Sequence, residues 1–376
     1  MIDAALYIHI PFCIKKCDYC DFTSFCYDDK KIKEYISLLL KEIDMYSKST
    51  EGYKFKTLFF GGGTPSLIDE KYIKMIIDRL NEKFNLNLEE VTIEANPKTL
   101  NKNKLLAYKK MGINRISIGV QSIENNILKD IGRVHDFRDF LNTYNLLKEA
   151  GFSNINTDIM FNLPNQSIKN VLDTLNEMIK LDIPHISFYS LSIEEGTSFY
   201  KRYNEGNLNI SDEDIERKMY HKGIELLEEN SIFQYEISNF SKEGYECKHN
   251  LYYWKLKPYL GLGISAHSNM FSKRWGNTKN YIEYKENILK DKFPVDYTED
   301  IDIETEMSEY IILGLRLNKG ISKREFKEKY GVALEDKFKD ALIKNEKYNL
   351  IEDKNDKIYL TKKGLDLSNR VFSEFI

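Results

Sequence analysis

Residues 5–20 read ALYIHIPFCIKKCDYC, an alternating apolar stretch that passes through a proline into three cysteines. Residues two apart share a face of a strand, so Leu6, Ile8 and Ile10 fall on one side and Tyr7 and His9 on the other. Cys13, Cys17 and Cys20 then follow in a Cys-x3-Cys-x2-Cys spacing. A strand that delivers three thiols in the loop at its end is the first unit of the fold.

The unit recurs without its cysteines. Strand-like segments follow at KTLFF (56–60), VTIEA (91–95), RISIGV (115–120), NINTDIMF (154–161) and HISFYSL (185–191). Between them, stretches such as 31–46, 70–84 and 169–181 space their apolar residues by three and four, the period of a helix with one buried face. Strand–helix–strand repetition predicts parallel strands with crossover helices, hence an α/β barrel or a doubly wound sheet. Alternation puts Val91 and Ile93, Ile116, Ile118 and Val120, and Ile155, Thr157 and Ile159 on the helix-covered face with Leu6, Ile8 and Ile10. The opposite face is polar or small, with Thr92, Glu94, Ser117, Gly119, Gln121, Asn156 and Asp158. A closed eight-strand barrel fills its interior with Val, Ile and Leu. A polar inner face therefore predicts a wider, incomplete barrel around a polar ligand. The strand ends Gly61-Gly62-Gly63-Thr64-Pro65, Glu94-Ala95-Asn96-Pro97, Gln121-Ser122 and Asp158 with Leu163-Pro164 lie where parallel α/β folds bind ligands. They predict one composite site.

After residue 200 the repeat stops. A helix-like stretch (212–230), a strand FQYEISNF (233–240), the segment HNLYYW (249–254) and a Gly-rich YLGLGISAH (259–267) follow. From residue 296 the chain is highly charged, with one helix at 321–331 and a two-stranded wing at 348–361. The expected organisation is a barrel over 1–200, an α+β extension over 201–295 and a small winged-helix-like module over 296–376. Acidic and basic residues are evenly mixed in that module, so it reads as a cap on the barrel and not as a nucleic-acid binder.

Composition agrees with a folded protein and excludes several partners. The 376 residues are 42% hydrophobic and 30% charged, and 55 basic against 59 acidic residues leave a net charge of −4. Nothing in that balance recruits a polyanion. No run of about 18 apolar residues occurs, and the N-terminal stretch has no basic n-region, which predicts a cytoplasmic protein. Five cysteines, three of them clustered, do not make a secreted disulfide framework.

Three thiols from one loop admit three readings. A structural zinc site wants four ligands, and Cys26 is the only nearby fourth. A thiol-redox pair needs Cys17 and Cys20 alone and leaves Cys13 unexplained. A [4Fe–4S] cluster on three thiolates leaves one iron open to an outside ligand.

The Cys-x3-Cys-x2-Cys spacing, with Tyr19 before the last cysteine and GGGTP after the second strand, resembles the radical S-adenosylmethionine (SAM) proteins. The resemblance implies a partial (β/α)6 barrel, a [4Fe–4S] cluster on Cys13, Cys17 and Cys20, and SAM on the open iron. Tyr7-Ile8-His9-Ile10-Pro11-Phe12-Cys13, Ile118-Gly119-Val120-Gln121-Ser122, Ile131-Gly132-Arg133, and Asp158 with Leu163-Pro164 look like the oxygen-independent coproporphyrinogen III dehydrogenase subfamily. Dehydrogenases of that subfamily carry a further cysteine two positions after the third, where this chain has Phe22. The heme-chaperone group lacks it and carries an HNxxYW motif, complete here from His249 to Trp254. The chain thus resembles the chaperone group, with oxidative decarboxylation of coproporphyrinogen III as the alternative.

By the same resemblance Tyr7, Tyr19, Gly62, Gly63, Thr64, Glu94, Gln121, Arg133 and Asp158 contact SAM. Glycines would let the backbone approach the methionine end, acids would bind the ribose or ammonium, and Arg133 would fork onto the carboxylate. A surface ion pair is the competing reading for Arg133. His249 would be the axial ligand of heme iron, against a packed turn with its imidazole satisfied by a carbonyl. Cys26 and Cys247 read as structural, and His9 and His267 as cavity residues without an assigned role. The implied partners are heme, respiratory heme-acceptor proteins and an electron donor for the cluster. A homodimer and membrane association through the acceptors are compatible with it, and no nucleic acid is expected.

Overall fold

Six parallel strands, each followed by a return of the chain across the sheet, carry the first half of the molecule. The computed structural model describes residues 1–376. Strands β1 (Ile2–Ile10), β2 (Tyr53–Gly62), β3 (Leu86–Ala95), β4 (Arg115–Gln121), β5 (Asn154–Phe161) and β6 (His185–Ser190) lie side by side in chain order. Every neighbouring pair among them is parallel. The crossovers contain α1 (Asp29–Tyr46), α2 (Glu70–Lys83), α3 (Lys102–Lys110), α4 (Phe137–Glu149) and α5 (Ile168–Lys180). Each starts where a side chain accepts a backbone N–H of the first turn: Asp28, Asp69, Asn101, Asp136 and Ser167. Such caps are worth about 1 kcal/mol each.

The face alternation holds. Leu6, Ile8, Ile10, Ile93, Ile116 and Ile118 are fully buried in the main apolar core beneath the helices. Tyr7, His9, Glu94, Gln121 and Asp158 occupy the alternate positions that face the lumen.

Beyond residue 200 the chain extends the same sheet from both edges. Helix α6 (Glu213–Glu229) packs on α5, and β7 (Phe233–Glu236) and β8 (Asn239–Ser241) form an antiparallel hairpin on β6. The single strand expected at 233–240 is thus two, because the Glu236 carboxylate accepts the Ser238 N–H and the Asn239 side chain and folds the chain back. The HNLYYW segment is a helix, α7 (Lys248–Trp254). The Gly-rich segment supplies β9 (Tyr259–Leu262), which pairs in parallel with β1 on the edge away from β2. Antiparallel β10 (His267–Met270), β11 (Lys273–Asn277) and β12 (Val295–Asp300) follow, with α8 (Tyr281–Leu289) between the last two. The sheet order is β12-β11-β10-β9-β1-β2-β3-β4-β5-β6-β8-β7, so its edges do not meet and the barrel stays open. The core runs on through Leu260, Leu262, Trp275, Tyr284 and Ile288.

Helix α9 (Ile303–Gly314) leads into residues with a core of their own, around Ile311, Phe326, Leu334 and Ile358. There β13 (Ile321–Ser322), β14 (Ile351–Lys354) and β15 (Lys357–Leu360) form a small sheet with β15 in the centre. Asn355 and Asp356, at φ of 50° and 70°, make the tight turn of the wing. The module is fastened to the β7–β8 hairpin by the Arg316–Glu236 ion pair (3.3 Å) and by the Ile237 N–H on the Arg316 carbonyl (3.2 Å). No helix of the chain is long and apolar enough to cross a membrane.

One buried carboxylate ties α1 to the extension. Glu42 accepts hydrogen bonds from Asn277 Nδ2 (2.7 Å), the Gly263 N–H (2.8 Å) and the Tyr284 hydroxyl (2.6 Å). Replacing it by Ala leaves these buried donors unpaired, at an expected cost of about 3 kcal/mol in denaturant unfolding. Burial pushes the Glu42 carboxyl from 4.5 up to about 7. The native chain then keeps a proton that the unfolded chain has already released. The stability of the wild type relative to Glu42→Gln should fall as pH rises from 4.5 to about 7. A flat difference across that window would refute the assignment.

Candidate functional site

The cysteine loop leaves β1 at the open mouth of the barrel and is held there by the ends of other strands. A two-residue parallel pair, Phe12–Cys13 with Phe25–Cys26, closes the loop on itself. From the end of β2, the Gly63 N–H bonds to the Ile10 carbonyl (2.9 Å) and the Thr64 N–H to the Phe12 carbonyl (2.8 Å). The Thr64 hydroxyl points at Cys13 Sγ (3.6 Å). The glycines serve this docking: a Cβ on Gly62, at φ +112°, would lie 2.6 Å from the His9 ring, and one on Gly63 2.7 Å from the Phe12 backbone. Close approach of the chain to itself requires them.

The far side of the loop rests on Ile131-Gly132-Arg133. The Ile131 carbonyl accepts the Asp18 N–H (3.2 Å), and Gly132, at φ +78°, sits 3.2 Å from Asp18 measured from where its Cβ would be. Arg133 Nη1 donates to Cys17 Sγ (3.6 Å). Its Nη2 donates to the Asn96 side chain and to the Gly119 carbonyl. Arg133 forms no ion pair, so the surface-pair reading falls. Asn96, which sequence reasoning noted only as a strand end, links both supports by donating to the Thr64 hydroxyl (2.9 Å). The chain Cys13–Thr64–Asn96–Arg133–Cys17 is continuous.

Behind the loop the lumen is lined by buried ionisable and polar groups. Glu94 accepts the Gly62 N–H (3.1 Å), and burial, with the nearby Asp158 charge, pushes its carboxyl up to about 8. Burial also raises Asp158, against the Asn156 amide that donates to it at 2.7 Å. Gln121 stands just past a register shift in β4 at φ 67°, with its Oε1 buried and unpartnered. Arg133 Nε and Ser190 Oγ are likewise buried without a partner. The Tyr7 hydroxyl lies 3.0 Å from His9 Nδ1, and Tyr19 packs on Phe199. Orphaned polar atoms at the ends of several strands fit a polar ligand here.

All five thiols are free, and no group of three or more His, Cys, Asp or Glu side chains converges on a single-metal site. A cuboidal cluster takes each thiolate on a separate iron, so its cysteines stand apart. The Cys13, Cys17 and Cys20 loop can hold such a cluster. Burial raises the Cys13 thiol and pushes Cys20 up to about 11; metal binding would then release protons. Cys26 is exposed, not the packed structural thiol expected, because its short strand lies at the surface. Cys247 is buried with its Sγ 3.5 Å from Glu90.

Glu90 also accepts the backbone N–H groups of Lys248 and His249, both at 3.0 Å, and so anchors the start of α7. The His249 ring stacks on Phe59 (5.0 Å). Its Nδ1 meets the Thr57 hydroxyl and its Nε2 the Tyr253 hydroxyl, each at 2.8 Å. Both nitrogens are thus engaged, by side chains and not by a carbonyl. To ligate iron, His249 would have to release Tyr253. Tyr253 and Trp254 face outward onto a cavity of about 770 Å³ between the barrel mouth and α9, which Tyr7, His9, Phe22 and His267 also line.

The Gly132 contact makes a prediction that needs no cofactor. Gly132→Val should displace the loop and speed tryptic cleavage after the exposed Lys15 and Lys16, whereas Val134→Ala, an exposed neighbour, should not. Equal cleavage rates would mean that the contact does not restrain the loop.

Comparison with known proteins yields relatives for the whole chain. The family model of the Radical SAM superfamily matches residues 7–178, and that of the HemN C-terminal domain residues 301–367. The chain is 38% identical to the heme chaperone HemW of Bacillus subtilis (strain 168) over 372 residues, 98% of each chain. It is 33% identical to heme chaperone HemW of Lactococcus lactis subsp. lactis (strain IL1403), over 98% of this chain and 96% of that one. Among solved structures, the radical SAM enzyme coproporphyrinogen III oxidase (HemN) from Escherichia coli superposes with a TM-score of 0.87 at 20% identity, covering 100% of this chain and 90% of that one. The last likeness concerns the fold.

Proposed function

The chain belongs to the heme chaperone HemW family of the radical SAM superfamily, and from that membership we propose that it binds heme and passes it to acceptor proteins. The observation that carries the reading is the identity with HemW proteins over nearly the full length of both chains. Two local features agree with it. Tyr253 and Trp254 of the HNxxYW motif line the large cavity, as does Phe22, 61% exposed, which stands where the dehydrogenases carry a cysteine.

In this reading Cys13, Cys17 and Cys20 hold a [4Fe–4S] cluster, and SAM occupies the lumen beside it. When bound, the pair supplies one-electron chemistry. The chain's residues shape the site around them. Thr64 and Arg133 direct a hydroxyl and a guanidinium at two of the sulfurs, which offsets thiolate charge in a half-buried loop. Glu94, Gln121 and Asp158 present polar groups from successive strand ends to the ribose and ammonium parts of SAM, with Gly62 and Gly63 fixing the loop beneath. Tyr7 and Tyr19 flank them. Arg133 is already committed to Cys17, Asn96 and Gly119, so it would order the loop as much as bind a carboxylate. Respiratory apoproteins as acceptors, a reductant for the cluster and a homodimer complete the proposal.

Anaerobic reconstitution should yield about four irons per chain, lost in Cys13→Ser, Cys17→Ser or Cys20→Ser and retained in Cys26→Ser. Tightly bound zinc without iron would end the cluster reading. Heme-loaded protein should transfer its heme to an apo-acceptor without converting coproporphyrinogen III to a divinyl product. Turnover of coproporphyrinogen III would replace the chaperone reading with the decarboxylase one.

A further inference from the structure

The cavity between the barrel and α9 is the only large one that opens beside the cysteine loop, and its lining is chemically mixed. Tyr7, Tyr253, Trp254 and Tyr259 line it, together with Ile312 and Leu313 of α9. Trp254 is held in place by the Arg316 guanidinium, 4.3 Å above its ring. At about 770 Å³ the space lies within the roughly 300–1,000 Å³ of sites for flat organic ligands of drug-like size. A lining that combines aromatic rings with aliphatic side chains suits a flat macrocycle.

Two imidazoles reach this cavity, and they are not equivalent. His9 is buried and spends both nitrogens, Nδ1 on the Tyr7 hydroxyl (3.0 Å) and Nε2 on the Thr23 carbonyl (2.9 Å). His267, at the start of β10, is exposed to the cavity. Its Nδ1 meets the Tyr297 hydroxyl at 2.9 Å, and its Nε2 has no partner. A proton on Nδ1, donated to Tyr297, leaves the Nε2 lone pair free, the arrangement in which a second ligand-side hydrogen bond orients a metal-binding imidazole. Burial and the nearby Lys279 and Arg274 charges lower the His267 pKa, which keeps the ring neutral at pH 7.

The rim carries unspent positive charge. Lys257 and Lys279 line the cavity, are exposed and form no ion pair, Lys257 lying 5.0 Å over the Tyr252 ring, whereas Arg274 is committed to Glu309 and Glu299 and Asp21 is the one exposed acid on the lining. A ligand with a metal at its centre and carboxylates at its edge would match an imidazole with an open Nε2 and two ammonium groups without an acidic partner.

Taking the heme reading as its premise, we propose that heme sits in this cavity with His267 Nε2 facing the iron and Lys257 and Lys279 receiving the propionates. His249 then acts one step back, as the residue that fixes α7 and through it Tyr253 and Trp254. It is a positioning residue in this scheme and not the ligand.

Titration of the full chain with hemin, followed in the Soret region and by electron paramagnetic resonance, tests the assignment. His267→Ala should lose the imidazole-ligated spectrum, and added free imidazole should restore it. Tyr297→Phe should keep the ligand but weaken binding by about tenfold, as loss of an outer hydrogen bond does. Lys257→Glu with Lys279→Glu should weaken hemin binding and leave binding of the hemin dimethyl ester, which lacks the carboxylates, unchanged. His249→Ala should weaken binding while keeping the wild-type ligand signature. Because His249 is buried, circular dichroism and His249→Gln would separate misfolding from lost ligation. If His267→Ala keeps the wild-type spectrum, or only the His249 variants lose it, the assignment is wrong while the chaperone reading stands. If the wild type binds no heme, the chaperone reading itself fails.

Discussion

Three cysteines on a short loop have to be presented together, and that loop has almost no hydrophobic anchor of its own. Between Ile14 and Cys20 every residue is exposed or only half-buried. What holds the loop is a set of hydrogen bonds from elements distant in sequence: the end of β2 through Gly63 and Thr64, and the segment after β4 through Ile131, Gly132 and Arg133. These elements share one rim because parallel strands joined by crossover helices bring all their C-terminal ends to the same side. The architecture of the first half of the chain follows from that need.

The same arrangement carries an energetic cost. Glu94 and Asp158 are buried carboxyls in the lumen where their charge is disfavoured, as the raised pKa of each records. Taking an ion out of water costs several kcal/mol unless partners compensate. Arg115 and Arg133 offset part of it, and Asn156 and the Gly62 N–H offset more. The unpartnered oxygen of Gln121 and the unpartnered Arg133 Nε fit a polar occupant of the lumen. A stable but empty protein would have filled that space with side chains, as closed barrels do.

The chain after residue 200 turns an open barrel into a protein with a second cleft. β9 adds to the β1 edge and α7 is clamped to β2 and β3 by Thr57, Phe59 and Glu90. The C-terminal module then reaches back over this edge with α9. Glu236, buried beneath the β7–β8 hairpin, pairs with Arg316, whose guanidinium also covers Trp254. One arginine thus connects the far edge of the sheet, the module and the wall of the cleft.

The strands and helices of the barrel could be read from the chain because they repeat a local pattern: alternation at period two, then apolar spacing of three and four. The cysteine spacing and the glycine-rich strand ends were legible for the same reason, as short motifs whose chemistry is local. β9 was not legible, since YLGLG is short and its alternate positions are glycines, which are poor strand formers, so it becomes a strand only when β1 offers a free edge. Asn96 looked like a turn residue, and its place between Thr64 and Arg133 depends on three segments meeting. His249 read as an iron ligand or a packed imidazole, and His267 as a cavity residue without a role. Both identities depend on which neighbours claim the ring nitrogens, and those neighbours, Thr57 and Tyr253 for one and Tyr297 for the other, arrive from other strands or the next helical turn. The sequence by itself determined the class of fold and the clustering of three thiols, because strand and helix periods and the cysteine spacing are local patterns. Only the tertiary structure decided which polar atoms are spent and which are left over, because hydrogen bonds across a fold saturate some groups and not others.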